Sequence, residues 1–262
     1  MLRRWCILVA MLALAAGTAL TAGGASAATT AGTFTPGGTI RLVGAARSDA
    51  HGTKQKDVES SNWSGYAGTT GTYTSVSASW TQPTGTCTRG DQYAAFWVGL
   101  DGYSSETVEQ TGSEVDCDGP TPEYYAWYEA YPAASENYSN TVKPGDHFNA
   151  SVTSEGSNKF ALDIDDTTQG WSHDTAVTVS GADRSSAEVI VEAPCCTDSG
   201  GILPLTDFGT ISLTSSEANG SAIGNAGGLT EIVMVDSEGR HEDNVSSLTG
   251  GGNFSAAWVR SN

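Results

Sequence analysis

The chain of 262 residues carries 30 acidic and 12 basic side chains, a formal net charge of −18. From Ser60 onward the imbalance sharpens to 27 acidic against six basic residues. Because contacts with phosphate need lysine and arginine, this charge excludes a nucleic-acid partner. Because carboxylates lose their charge near about pH 3–4, it also favours activity or stability in acid.

The N-terminal region reads as two segments that precede the folded domain. In residues 1–27, two arginines precede an apolar run and the small residues Ala25-Ser26-Ala27, which predicts a cleaved secretory signal peptide. No other apolar stretch is long enough to cross a bilayer, so we expect a secreted, extracellular protein with no membrane contact. Residues 28–58 are rich in Thr, Gly and Ala and mildly basic. They predict a propeptide held partly by charge on the acidic domain, and a disordered linker is the alternative.

Residues 59–262 are predicted to form one domain of short strands. Runs rich in β-branched and aromatic residues alternate with Gly, Ser, Thr, Asn and Pro, and the 32 glycines argue against long helices. In chain order these runs are 73–80, 93–100, 124–131, 146–154, 158–166, 175–180, 187–193, 209–215, 229–235 and 254–260. Short strands at this spacing predict an all-β fold, one sandwich of two antiparallel sheets.

Four cysteines remain after Cys6 is lost with the signal peptide. An even number in an oxidising compartment predicts two disulfides, for which three pairings exist. We favour Cys87–Cys117, because these residues bracket what reads as a pair of neighbouring strands, together with a bridge between the adjacent Cys195 and Cys196. No cysteine or histidine spacing indicates a metal site, and we expect no metal.

The run AEVIVE (187–192) places two carboxylates on the same face of a strand. Because side chains alternate, Glu188, Ile190 and Glu192 share one face and the two valines share the other, and either face is a candidate for burial. The two glutamates lie about 13 Å apart at Cα. Carboxyl pairs that cleave glycosides lie only about 5–9.5 Å apart. Each glutamate therefore needs a partner from another strand.

An aromatic face with a carboxylate is predicted in YYAWYEAYP (124–132). Trp127, Glu129 and Tyr131 alternate along this strand and so point to one side. Such a face suits a groove for an extended polymer, and ordinary packing of a sandwich core is the alternative. The signatures GxSxG and HExxH and a Gly-rich phosphate loop are missing from the sequence.

Five motifs together resemble the glutamic peptidases, or eqolisins. In chain order they are SNWSGY (61–66), FWVGLDG (96–102), VEQTG (108–112), AWYEAYP (126–132) and AEVIVEAP (187–194). They keep that family's order and its approximate spacing. The resemblance implies a sandwich of two curved antiparallel sheets, similar to a concanavalin or jelly-roll fold. It also implies a secreted acid endopeptidase that is made with a propeptide and needs no metal or cofactor.

The resemblance also assigns roles to individual residues. The family's catalytic glutamine falls on Gln110 and its catalytic glutamate on Glu192, whereas Glu188 matches an acid that the family does not use for catalysis. The expected substrate-binding positions are Trp97, Asp101, Trp127, Glu129 and Tyr131.

Two functions of other classes remain open alongside the peptidase. A polysaccharide hydrolase would use Glu192 and Glu129 across the aromatic groove, and a carbohydrate-binding module would stack its aromatic rings on sugars. Gln110 favours the peptidase, because a glycosidase needs a second carboxyl group at that place, and the leader favours it too. As partners we expect polypeptide substrates and the protein's own propeptide, and we expect a monomer.

Overall fold

The computed structural model describes residues 39–43, 56–88, 90–195 and 201–261. The predicted signal peptide and most of the predicted propeptide lie outside these ranges, as does Cys196. Within the described part of the chain, no helix has the length and apolar character needed to cross a bilayer.

The described residues form sixteen strands and one turn of 3-10 helix at Ile223–Asn225. The strands are β1 Lys56–Ser60, β2 Trp63–Gly68, β3 Ser75–Thr81, β4 Gln92–Leu100, β5 Val108–Asp118, β6 Thr121–Tyr131, β7 Glu136–Asn137, β8 His147–Gly156, β9 Lys159–Asp166, β10 Trp171–Thr178, β11 Ala187–Glu192, β12 Thr210–Ala218, β13 Ser221–Ala222, β14 Thr230–Met234, β15 Asp243–Val245 and β16 Phe254–Trp258. The predicted all-β class is confirmed.

The strands assemble into the predicted sandwich of two sheets. The first sheet has the order β1-β14-β2-β11-β4-β5-β6-β7, and the second has the order β10-β9-β8-β3-β12-β16-β15 with β13 beside β12. Among the described strands the pairing is antiparallel, except that β1 runs parallel to β14 at the edge of the first sheet. The sequence did not predict this pair, because β1 lies largely within the segment interpreted as propeptide.

The central strands of the first sheet, β2, β11, β4 and β5, are buried on both faces. One face packs against the second sheet, where Phe96, Val189 and Val191 join a large apolar core. The opposite face, which we call the outer face, carries a separate apolar cluster of Val58, Trp63, Ala67, Ala95, Trp97, Trp127, Ile190 and Ile232. The valine face of β11 therefore meets the core between the sheets, and its glutamate face belongs to the outer face.

The disulfide prediction is confirmed for one pair. Cys87 and Cys117 are bonded, and they join the loop before β4 to the end of β5. Gln92 of β4 lies opposite Cys117 of β5, so the bridge closes the end of two neighbouring strands. Cys195 is also disulfide-bonded. Because Cys196 lies outside the described residues, the vicinal pairing stays a prediction.

Candidate active site

Cross-strand register brings the motif residues to the outer face. Residues directly opposite each other in an antiparallel pair point to the same side of the sheet. On β4, Trp97 lies opposite Ile190 of β11, a member of the outer-face cluster. Gln110 of β5 lies opposite Glu129 of β6. Four neighbouring strands thus contribute polar and aromatic side chains to one surface, with Glu192 at the end of β11.

Glu192 is a buried carboxyl group held by an indole. It is the last residue of β11, its side chain is fully buried, and its Oε2 accepts a hydrogen bond of 2.8 Å from Nε1 of Trp97. The Trp97 ring packs edge-on against Trp63, with 4.8 Å between the ring centroids. A donor aimed at a carboxylate favours its ionised form, so this contact suits a group that must carry a negative charge.

Gln110 is also fully buried, and it is oriented by Glu129. Its Nε2 donates a hydrogen bond of 2.6 Å to Oε2 of Glu129, while its own Oε1 has no hydrogen-bond partner among the described residues. Burial raises the pKa of Glu129 to about 9, the bond from Gln110 opposes that rise, and the charge of Glu192 adds to it. Glu129 is therefore neutral in acid.

Two glycines let the strands carrying these residues approach closely, a feature that the sequence analysis missed. A Cβ on Gly99 would lie 2.9 Å from Cζ3 of Trp97 and 3.1 Å from Cβ of Gln110. A Cβ on Gly112 would lie 2.2 Å from the carbonyl oxygen of Phe96. Glycine inside a buried strand is the signal that could have indicated this crowding.

The other predicted binding residues differ in their positions. Trp127 is fully buried within the outer-face cluster. Tyr131 ends β6, is half-buried and lies opposite Val108 of β5. The structure therefore brings Trp97, Trp127 and Glu129 close to the two proposed catalytic groups and leaves Tyr131 at the end of the same face.

Asp101 is bound to the protein's own backbone. Its residue has a positive φ of 70°, and its buried carboxylate accepts hydrogen bonds from the backbone N–H groups of Arg184 and Ser185 and from the Ser185 hydroxyl. These bonds anchor the loop that leads into β11. A substrate-binding role for Asp101 stays a prediction.

Glu188 lies on the same face as Glu192 but in a different environment. Its side chain is fully buried. Burial raises its pKa well above the ordinary range, the nearby Ser186 side chain opposes the rise, and the charges of Asp101 and Glu109 add to it. A carboxyl group that stays protonated in acid cannot take a proton from water, so Glu188 is unsuited to act as a base there.

The structure adds Glu114, which the sequence analysis did not single out. It lies opposite Ala95 on β4, and Ala95 in turn lies opposite Glu192 on β11. Burial raises the pKa of Glu114 well above its ordinary value, and the neighbouring Asp116 and the charge of Glu192 add to the rise. Its position four residues after Gln110 on one strand is the signal that could have found it.

Together these groups can act on a polar bond. An ionised carboxylate can take a proton from water, and an amide can accept a hydrogen bond from that water and donate one to a developing oxyanion. In the part of the chain that the structure describes, no three His, Cys, Asp or Glu side chains are arranged to hold a metal ion.

Comparisons with known proteins agree on one family. The model of the peptidase A4 family matches residues 61–256. Aspergillopepsin-2 of Aspergillus niger is 29% identical over 213 residues, which cover 71% of this chain and 75% of that protein. Scytalidopepsin B of Scytalidium lignicola is 32% identical over 149 residues, which cover 53% of this chain and 54% of that protein.

Solved structures give the same result for the fold. A scytalido-glutamic peptidase bound to a transition state analog inhibitor matches with a TM-score of 0.67 and 23% identity, over 76% of this chain and 98% of that one. The aspergilloglutamic peptidase from Aspergillus niger matches with a TM-score of 0.55 and 26% identity, over 64% of this chain and 99% of that one. Since the family model spans most of both sheets and the five motifs from SNWSGY to AEVIVEAP, the chain belongs to the peptidase A4 family, the glutamic peptidases or eqolisins, and is an endopeptidase.

Proposed function

We propose that Glu192 and Gln110 form the catalytic dyad of a secreted acid endopeptidase. The observation that carries this proposal is the buried Glu192 carboxylate, which accepts the Trp97 hydrogen bond on the same face as the Gln110 amide. Glu192 takes a proton from water as the water oxygen bonds to the substrate carbonyl carbon. It then gives that proton to the leaving nitrogen as the carbon–nitrogen bond breaks.

Gln110 supplies both kinds of hydrogen bond that this reaction needs. Its Oε1 is free to accept from the attacking water, and the second hydrogen on Nε2 can stabilise the oxyanion. The first hydrogen on Nε2 is used by Glu129, which fixes the orientation of the amide. Glu129 is a positioning residue in this scheme.

The neighbouring carboxyl groups support work in acid. Glu129 and Glu114 both have pKa values raised by burial and by the charge of Glu192, so in acid they are neutral beside the base. As the pH rises, their ionisation accumulates negative charge beside Glu192 and repels the developing oxyanion. Activity should therefore be highest in acid and fall toward neutral pH.

The direct test is digestion of casein or haemoglobin at about pH 3–4, with polysaccharides assayed in parallel. We expect the protein substrates to be cleaved, and we expect Gln110→Ala to lose at least about a hundredfold in kcat/KM, the usual effect of removing an oxyanion donor. Gln110→Glu is the matched variant, since it keeps the shape but replaces the amide donors. Clearing of polysaccharide without cleavage of protein would instead establish the glycosidase.

Replacing Trp97 by Phe is expected to change the pH profile as well as the rate. The ring is kept, but Glu192 loses the donor that stabilises its ionised form. The acid limb of kcat/KM against pH should move to higher pH, with a loss of about tenfold at the optimum, the usual effect of one charge-assisted hydrogen bond. An unshifted acid limb would contradict the proposed role of the indole.

We also propose that residues 1–27 direct secretion and that the leader is removed to give the mature enzyme. The predicted boundary at residue 58 falls inside β1, a strand of the first sheet. Cleavage before Lys56 keeps that strand whole, so we expect it within residues 44–55. N-terminal sequencing of the secreted protein tests this site, and a mature N-terminus before Gly44 or beyond Lys56 would contradict it.

A further inference from the structure

A short piece of the leader, Thr39–Val43, lies against the outer face as an extended chain. The backbone N–H of Ile40 donates to the carbonyl of Gly102 at 3.1 Å, and that of Val43 donates to the carbonyl of Glu59 at 2.8 Å. The carbonyl of Arg41 accepts from the N–H of Ser61 at 2.9 Å. These three bonds hold the segment through its backbone, and the Arg41 side chain adds a bond from Nη2 to Sγ of Cys195 at 2.9 Å.

The side chain of Asn62 holds the backbone of this segment at two points. Its Oδ1 accepts the N–H of Arg41 at 2.8 Å, and its Nδ2 donates to the carbonyl of Thr39 at 3.5 Å. Asn62 is 1% exposed. Its amide is fixed by the hydroxyl of Ser60, which donates to the same Oδ1 at 2.9 Å. Asn62 is thus preorganised to bind a backbone.

These contacts do not depend on the sequence of the bound segment. The N–H of one residue and the carbonyl two positions earlier point to the same side of any extended chain. Asn62 contacts only those two groups of Arg41 and Thr39. A different polypeptide in the same conformation presents the same donor and acceptor.

One side chain of the segment is selected by shape. Ile40 packs against the outer-face cluster, whereas Leu42 is 51% exposed. The place that Ile40 occupies, which we call the seat, therefore requires an apolar side chain. The place that Leu42 occupies is open to solvent and requires no particular side chain.

The amide and the seat are connected to the proposed catalytic base. Trp63 directly follows Asn62 in the chain, its ring packs edge-on against Trp97, and Trp97 donates to Glu192. A peptide bound at Asn62 therefore lies along the surface that carries Glu192.

We infer that Asn62 is a backbone clamp for polypeptide substrates, that the seat of Ile40 is a subsite for an aliphatic side chain, and that Thr39–Val43 occupies both in this chain. The inference rests on the proposed function for the identity of the ligand as a substrate. The clamp itself is a peptide-binding site, which can be tested without catalysis.

The first experiment measures binding of the synthetic peptide Thr-Ile-Arg-Leu-Val by calorimetry. The protein is the full chain with Ile40→Asp and Arg41→Pro, which remove the aliphatic side chain and the N–H that hold the leader in the site, and with Glu192→Gln, which keeps the peptide intact. Absence of peptide binding by this protein would overturn the proposal. We expect binding, and about tenfold weaker binding when the arginine amide of the peptide is N-methylated. Adding Asn62→Leu should weaken binding about tenfold and remove the methylation effect.

Matched variants protect this result from a folding defect. Asn62→Asp keeps Oδ1 and loses the amide donor, so it should keep the methylation effect while binding more weakly. In the peptide, Asp in place of Ile should abolish binding, whereas Asp in place of Leu should not, because Leu42 is exposed. Equal binding by the Asn62→Leu protein, or a methylation effect that persists in it, overturns the clamp.

The second experiment separates the clamp from the proposed function. With Glu192 restored, the Ile40→Asp, Arg41→Pro chain is assayed on a cleavable peptide carrying an N-methyl group at one amide at a time. Methylation of one particular amide should lower kcat/KM about tenfold, and this effect of methylation should vanish in the Asn62→Leu protein. If binding behaves as expected but no peptide is cleaved, the proposed function fails and the binding site stands. If cleavage is normal and no position depends on Asn62, the substrate clamp fails and the peptidase stands.

Discussion

Replacing Glu192 by Gln is expected to lower kcat/KM for peptide hydrolysis by about a thousandfold or more. Glutamine keeps the shape of the side chain and can still accept from Trp97 through its carbonyl oxygen, but it cannot take a proton from water. General base catalysis contributes about a hundredfold to ten-thousandfold, and here the same group also returns the proton to the leaving nitrogen. The loss should appear in kcat with little change in KM, since the substrate contacts remain.

Glu188 provides the control for this experiment. It lies on the same strand and the same face, and it is equally buried. Because its pKa is raised well above the ordinary range, it is protonated in acid and resembles glutamine in charge. Glu188→Gln should keep most of the activity. If Glu188→Gln abolished hydrolysis while Glu192→Gln retained it, the assignment of the base would be reversed.

The second large expected effect is a loss of folding stability between acid and neutral pH. Burial raises the pKa of Glu109 to about 8, that of Glu129 to about 9, and those of Glu242 and Asp243 to about 7. In the unfolded chain glutamate ionises near 4.5 and aspartate near 3.8. Below those values both states are protonated, and the stability is fully present.

At pH values above these unfolded-state pKa values, the sign of the pH dependence follows from counting the protons bound in each state. The unfolded chain releases its protons first, so the native state holds more protons, and the free energy of unfolding falls as the pH rises. Each such group contributes a slope of about 1.4 kcal/mol per pH unit until its folded pKa is reached. The loss should therefore run from about pH 4.5 to about pH 7–9, with several groups adding.

Urea unfolding at pH 4, 5.5 and 7 measures this slope. Glu109→Gln should reduce the slope of the free energy of unfolding against pH by the contribution of one titrating group, because the amide has no proton to lose. Thr153→Ser, at an exposed position with no titratable side chain, should leave the slope unchanged. A free energy of unfolding that rises from pH 4 to pH 7 would contradict the expectation.

Local patterns were sufficient to predict much of the fold. The run 187–193 was predicted as a strand and is β11, Ala187–Glu192. The alternation that placed Trp127 and Glu129 on one face matches their positions on β6, because side-chain alternation is a property of the extended backbone alone. The Cys87–Cys117 bridge was predictable because it joins neighbours in a hairpin.

Long-range pairing could not be predicted in the same way. β1 pairs in parallel with β14 through contacts such as Val58 with Ile232, which are far apart in the chain, and no turn signal connects them. The segment containing β1 was interpreted as propeptide on its composition. The place of β1 at the edge of the first sheet depends on β14, a strand that lies far from it in the sequence.

The sequence by itself determined which residue types share a face of each strand, the acidic character of the domain and, through its motifs, the family. Only the tertiary structure decided which carboxyl groups have raised pKa values and which side chains are joined by hydrogen bonds. Glu192 and Glu188 are chemically identical and lie on one face of one strand. Both are fully buried and both lie near other acidic groups, but an indole N–H donates to Glu192, whereas burial raises the pKa of Glu188 well above its ordinary value. Desolvation and cross-strand contacts arise only when distant strands pack together, so the sequence alone could not distinguish the two glutamates.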